Sequence, residues 1–119
     1  MSASSIRFCN SASRLFAWIR PDASGAYSFR SIRPGGYPRA LKLDGVERLI
    51  PAHVHYEISA PGFESKRFQL VFDDDPRMDA HWRQWAKDGG HPVAHPQRDA
   101  SGVWQARCDI VLQRTGGAR

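Results

Sequence analysis

Turn chemistry punctuates the first two thirds of this chain and limits what it can fold into. Asp22-Ala23-Ser24-Gly25, Pro34-Gly35-Gly36, Asp44-Gly45 and Pro61-Gly62 interrupt the sequence before a helical period can establish itself. The intervening runs are short, rich in aromatic and β-branched residues, and alternate in polarity, which is strand patterning. Leu15-Phe16-Ala17-Trp18-Ile19 reads as a strand ended by Arg20-Pro21-Asp22. From Ala26 to Ile32 the alternation sets Tyr27, Phe29 and Ser31 against Ser28 and Arg30, predicting a half-buried strand. Asp44-Gly45 suits the positive φ of a tight turn, so Leu41 to Ile50 is expected to form a hairpin. Val54 to Ser59 is a further strand, and Phe68-Gln69-Leu70-Val71-Phe72 the next, with Phe68, Leu70 and Phe72 facing a core.

The pattern changes at Asp73-Asp74-Asp75-Pro76. An aspartate cap followed by a proline at the first helical position predicts a helix start, and Met78, Trp82 and Trp85 then recur at helical spacing until Gly89-Gly90. That stripe is read as a packing face. His91 to Ser101 is polar and proline-bearing, hence a loop. Val103 to Leu112 is expected to be the last strand, with Trp104, Ala106, Cys108, Ile110 and Leu112 on one side, and Thr115 to Arg119 a frayed tail. The expected fold is all-β: a single domain over residues 1–119, an antiparallel β-sandwich with one short helix inserted before the last strand.

With 119 residues the chain is long enough for one modest core. Its formal charge of +5 does not mark a nucleic-acid protein, because the arginines are scattered along the sequence and form no run. Such a field equally suits a small anionic substrate such as a phenolate or an aromatic carboxylate. Cys9 and Cys108 have neither zinc nor redox spacing and read as buried free thiols, with a Cys9–Cys108 bridge as the lesser reading. No apolar run is long enough to span a membrane, and the N-terminus has no signal-like apolar core. A cytoplasmic protein with no membrane or nucleic-acid partner is expected.

Pro51-Ala52-His53-Val54-His55-Tyr56 is the stretch with chemistry in it. On a strand His53 and His55 point the same way, with Cβ atoms roughly 6.5–7 Å apart, close enough for both imidazoles to meet one ion. Two solvated polar residues on an amphipathic strand would share that pattern. Were Tyr37 to converge on them, the N/O set would suit Fe(III), since a phenolate is a hard anionic donor, although zinc tolerates the same set. Glu57 shares the histidine face but lies about 13 Å from His53 along a strand, too far to hold the same ion. Tyr56 faces the other way. His81 falls on the predicted helix, whereas His91 and His95 flank prolines in the loop and read as solvated, with a place bordering the site as the lesser reading.

The run Asp22-x-x-Gly25-x-Tyr27-x-Phe29-Arg30-x-Ile32-x-Pro34-Gly35-x-Tyr37-Pro38, with Pro51-Ala52-His53-Val54-His55 after it, resembles the signature of the intradiol ring-cleavage dioxygenases. Phe68 to Pro76 and Cys108 to Leu112 resemble later segments of that family, so the likeness runs from about Asn10 to Leu112. The resemblance implies a β-sandwich and a non-haem Fe(III) held by tyrosinates and histidines, among them Tyr37, His53 and His55. It further implies cleavage of a small aromatic diol between its hydroxylated carbons, with O2, to a muconic acid. Tyr37 would also serve as a proton acceptor, and Gln69 matches a position near the metal. Two positions depart from the family pattern. Leu15 stands where a second tyrosine ligand is expected, and Ile50 where an arginine precedes the proline, leaving Arg48 as the nearby cation. Those departures keep a second expectation open, a sandwich module that binds without turning over. A further copy or a partner subunit supplying the absent groups is a third.

Overall fold

The computed structural model describes residues 5–9, 17–35, 40–43 and 46–116. Its elements follow the order β1 (Ser5–Cys9), β2 (Trp18–Ile19), β3 (Ala40–Leu43), β4 (Val46–Leu49), β5 (His53–Ser59), β6 (Lys66–Phe72), α1 (Ala80–Gly89), β7 (Val93–Ala94), β8 (Gln97–Arg98) and β9 (Trp104–Gln105). The described residues are thus β-rich with one short helix, and the chain separates into two compact units. No helix among the described residues is long and apolar enough to cross a membrane.

The first unit comprises Met1–Ile32, Val54–Phe68 and Asp109–Arg119. Strand β1 pairs antiparallel with β2 through Ile6 and Ile19, and with β5 from Ser5 opposite Ser59 to Cys9 opposite His55. The alternation of β5 is realised in its burial: Tyr56 and Ile58 are buried while His55, Glu57 and Ser59 are half-buried. Tyr56 stacks on Phe68 with ring centroids 4.8 Å apart, so it is a packing residue. Asp22 Oδ1 accepts from the backbone of Ser24 and Ala26 and from the Ser24 hydroxyl, and Gly25 takes φ +84°, which makes the expected turn. The expected strand from Ala26 to Ile32 does not form. Phe29 is 39% and Ile32 79% exposed, because alternation prepares a segment for pairing but cannot supply a neighbouring strand. The chain is held up to the start of the expected tail, whose residues 117–119 lie outside the described residues. Arg114 bridges Phe63, and the Thr115 N–H donates to Gly62 O at 3.0 Å.

The second unit comprises Arg33–His53 and Gln69–Cys108. The hairpin is present as β3 and β4, in register from Ala40 opposite Leu49 to Leu43 opposite Val46, with Asp44 and Gly45 themselves outside the described residues. Strand β6 continues from the first unit and pairs here with β7, Val71 opposite Val93. That pairing is parallel, a correction to the expected antiparallel arrangement. Its cause is α1, which supplies the crossover that parallel neighbours require. The helix also starts later than expected. Asp73 to Asp79 form turns, and Asp79, not the earlier aspartates, caps α1 by accepting from Trp82 N at 3.0 Å. Gly90 ends it in the left-handed region at φ 69°.

The Met/Trp stripe packs as expected: Met78, Trp82 and Ala86 close on Val71, with Ile50, Trp85 and Val93 at the edge. The segment read as a loop from His91 carries β7 and β8. Beyond it the expected last strand is reduced to Trp104–Gln105, which pairs with β8. Cys108, Ile110 and Leu112 do keep their alternating half-burial against an exposed Val111, but Trp104, on the same predicted face, is 56% exposed and Ala106 is exposed too. Amphipathic spacing survives there without a ladder to hold it.

Candidate functional site

His53 opens β5 and His55 follows two residues on, both half-buried. The His53 ring places Nδ1 3.0 Å from the carbonyl oxygen of Pro51. A carbonyl only accepts, so Nδ1 carries the proton and Nε2 is the basic nitrogen. Ligating histidines are commonly held in this way, one ring nitrogen donating to a carbonyl and the other presented to a metal, so His53 suits the role assigned to it. Tyr37 lies outside the described residues, as does Leu15. Arg48 stands opposite Leu41 in the hairpin backbone, and its side chain is likewise outside them. Among the described residues no three His, Cys, Asp or Glu side chains gather as a metal cage. A set built on His53 and His55 therefore needs a donor of another type or one outside those residues. Glu57 is engaged by Arg67 at 3.1 Å.

Gln69 is half-buried on β6, and its backbone N–H donates to His91 Nδ1 at 3.0 Å. His91 is not the solvated loop residue expected from sequence. Its ring stacks on Trp85 with centroids 4.1 Å apart and planes at 12°, and desolvation lowers its pKa below the ordinary 6.5. Neutral His91 accepting at Nδ1 carries its proton on Nε2, the reverse of His53. His95 is exposed and pairs with Asp73 at 3.1 Å, and His81 meets Trp82 edge-on.

Sequence reasoning missed the work done by the acidic turn. Asp73 is bound by Arg83 and His95, Asp74 by Arg33, and each carboxyl is held below the usual range, chiefly by its hydrogen bond to the guanidinium. Arg33 also lies over the Phe72 ring, 4.8 Å from its centroid. Asp75 is buried and accepts the Ala52 N–H at 3.1 Å. Ile50, where an arginine was expected, packs against the Val71, Met78, Trp82 and Ala86 cluster.

A family model described as a dioxygenase matches residues 10–114. The chain is 42% identical over 86 residues to catechol 1,2-dioxygenase 2 of Acinetobacter lwoffii, covering 63% of this chain and 30% of that protein. It is 40% identical over 107 residues to catechol 1,2-dioxygenase of Pseudomonas sp. (strain EST1001), covering 79% and 35%. The chain spans about a third of the length of these curated relatives.

Proposed function

The chain belongs to the intradiol ring-cleavage dioxygenase family, and from that premise we propose that it holds a non-haem ferric ion through Tyr37, His53 and His55 and cleaves a catechol-type ring with O2 to a muconic acid derivative. The observation that carries this reading is the His53 ring, whose Nδ1–H is committed to Pro51 O so that Nε2 is its donor nitrogen. When bound, the ion would supply Lewis acidity toward a catecholate and a template for the ring. His53 and His55 would hold it with neutral nitrogens from one strand. Tyr37 would contribute a phenolate and accept a catechol proton. Arg48 is assigned the cation that steadies negative charge developing on the substrate, and Gln69 a polar contact beside the site. On this reading residues 1–119 form one β-sandwich domain acting in the cytoplasm.

A visible phenolate-to-iron absorption band is expected after iron loading, lost in Tyr37→Phe and in the His53→Ala and His55→Ala variants, together with O2 uptake on adding catechol. Protein that stays colourless and iron-free after supplementation overturns the proposal.

Ile50 favours a second reading. Its place on the apolar cluster gives that position a packing role, and with Leu15 at the expected tyrosine position the chain would bind without turnover. Iron uptake and the visible band without O2 consumption, on catechol or its carboxylated and hydroxylated analogues, would decide for it.

A further inference from the structure

The residues leading into His53 are held from one side by the acidic turn and α1. Trp82 Nε1 donates to Leu49 O at 3.0 Å, and Ile50 packs beside that ring's cluster. Asp75 reaches furthest along the segment. One of its oxygens accepts the Ala52 N–H at 3.1 Å, and the other accepts the Arg77 N–H at 2.8 Å, with the Arg77 guanidinium at 3.4 Å. At 6% exposure it is the buried charged side chain of the described residues, and a buried carboxylate persists only when its oxygens are engaged.

The Ala52 N–H and the Pro51 carbonyl belong to the same peptide group. That group is planar and, like every described peptide here, trans, so its N–H and C=O point in opposite directions. Asp75 therefore grips one side of the plane while the His53 ring donates to the other. Two consequences follow from elementary electrostatics. The plane cannot rotate without breaking a charge-assisted hydrogen bond, so the acceptor for Nδ1–H stays in place. A negative charge on the N–H side also polarises the carbonyl, strengthening its hold on the imidazole proton.

We propose that Asp75 is a positioning residue for His53, acting through the Pro51–Ala52 peptide to keep the ring's proton on Nδ1 and its Nε2 as the metal-facing donor. The proposal rests on the reading of His53 as a ligand and adds a carboxylate–peptide–histidine chain behind it.

The test has an iron-free arm and an iron arm. Ring 15N chemical shifts in metal-free protein should show His53 with its proton on Nδ1, and Asp75→Ala should move it toward the Nε2–H form that free imidazole favours. Chelator competition should then show Fe(III) affinity falling about 10–100-fold, the usual effect of losing such an outer partner. Met78→Ala, which loosens the apolar cluster without touching the peptide, is the control for destabilisation and should keep both signatures. Should Asp75→Ala fail to fold, Asp75→Leu, which fills a similar volume with no acceptor oxygen, replaces it with the same readouts. An Asp75 variant that stays folded with the wild-type tautomer overturns the proposal, as does loss of the tautomer in Met78→Ala. If wild-type protein binds no iron, the metal reading fails by itself, and the tautomer comparison still decides what Asp75 does.

Discussion

Protonating His91 carries two penalties in the folded chain. Its stacked, partly desolvated position against Trp85 disfavours charge, and a proton on Nδ1 would meet the Gln69 N–H in place of the lone pair that now accepts it. The folded pKa therefore lies below 6.5, the unfolded chain takes up the proton first, and stability falls as pH drops below about 6.5. Thermal melts at pH 7.5 and 5.5 should show this loss, and His91→Phe, which stacks without titrating, should reduce the difference between the two. The sequence places this histidine next to Pro92 but gives no sign of the stack, because Trp85 and His91 meet only once Gly90 has turned the chain back. Gly89 lies under the same ring: a Cβ there would stand 2.6 Å from the imidazole. Gly89→Ala is expected to displace His91 from Trp85 and to return its pKa toward 6.5, measurable by NMR titration.

At the scale of the element, α1 shows why a helix can be legible while its first residue is not. The 3.6-residue stripe and the closing glycines follow from local spacing, and both are realised. Four aspartates precede the helix, however, and which one caps it depends on the others' obligations. Asp73 and Asp74 are taken by arginines and Asp75 by two backbone amides, leaving Asp79 for Trp82 N. Asp79→Ala should cost about 1 kcal/mol, the usual value of an N-cap, read from urea midpoints at constant slope. Gly90→Ala should cost a similar amount, about 1 kcal/mol, since φ 69° admits alanine poorly. Strand β5 is the contrasting case. Its period-two pattern set Tyr56 apart from the histidines, and the structure buries Tyr56 against Phe68 while leaving His55 half-buried.

For the molecule as a whole, Trp82 concentrates the second unit's packing. It is 5% exposed, sits in the Val71, Met78 and Ala86 cluster, and donates to Leu49 O. Trp82→Ala should cost about 3–5 kcal/mol, a large part of the 5–15 kcal/mol that keeps a typical domain folded. Circular dichroism melts should show a markedly lower transition, with Trp82→Phe retaining most of the packing and losing the hydrogen bond. Because that indole also anchors the segment before His53, the two variants separate what the histidine strand owes to burial from what it owes to the Leu49 contact.

By itself the sequence determined the family, the hairpin of β3 and β4, the two long strands β5 and β6, and the presence of His53 and His55 on the first of them. These are consequences of backbone periodicity and turn chemistry, which act between residues a few positions apart. Tertiary structure alone decided that Ala26 to Ile32 and most of Val103 to Leu112 lack ladders, that β6 and β7 run parallel, and that Asp75 holds the peptide ahead of His53. Each of these depends on which distant segment arrives alongside, and alternation or charge in one segment carries no record of its neighbour. The histidine pair was readable from two residues, whereas the tautomer of His53 required a carboxylate from further along the chain.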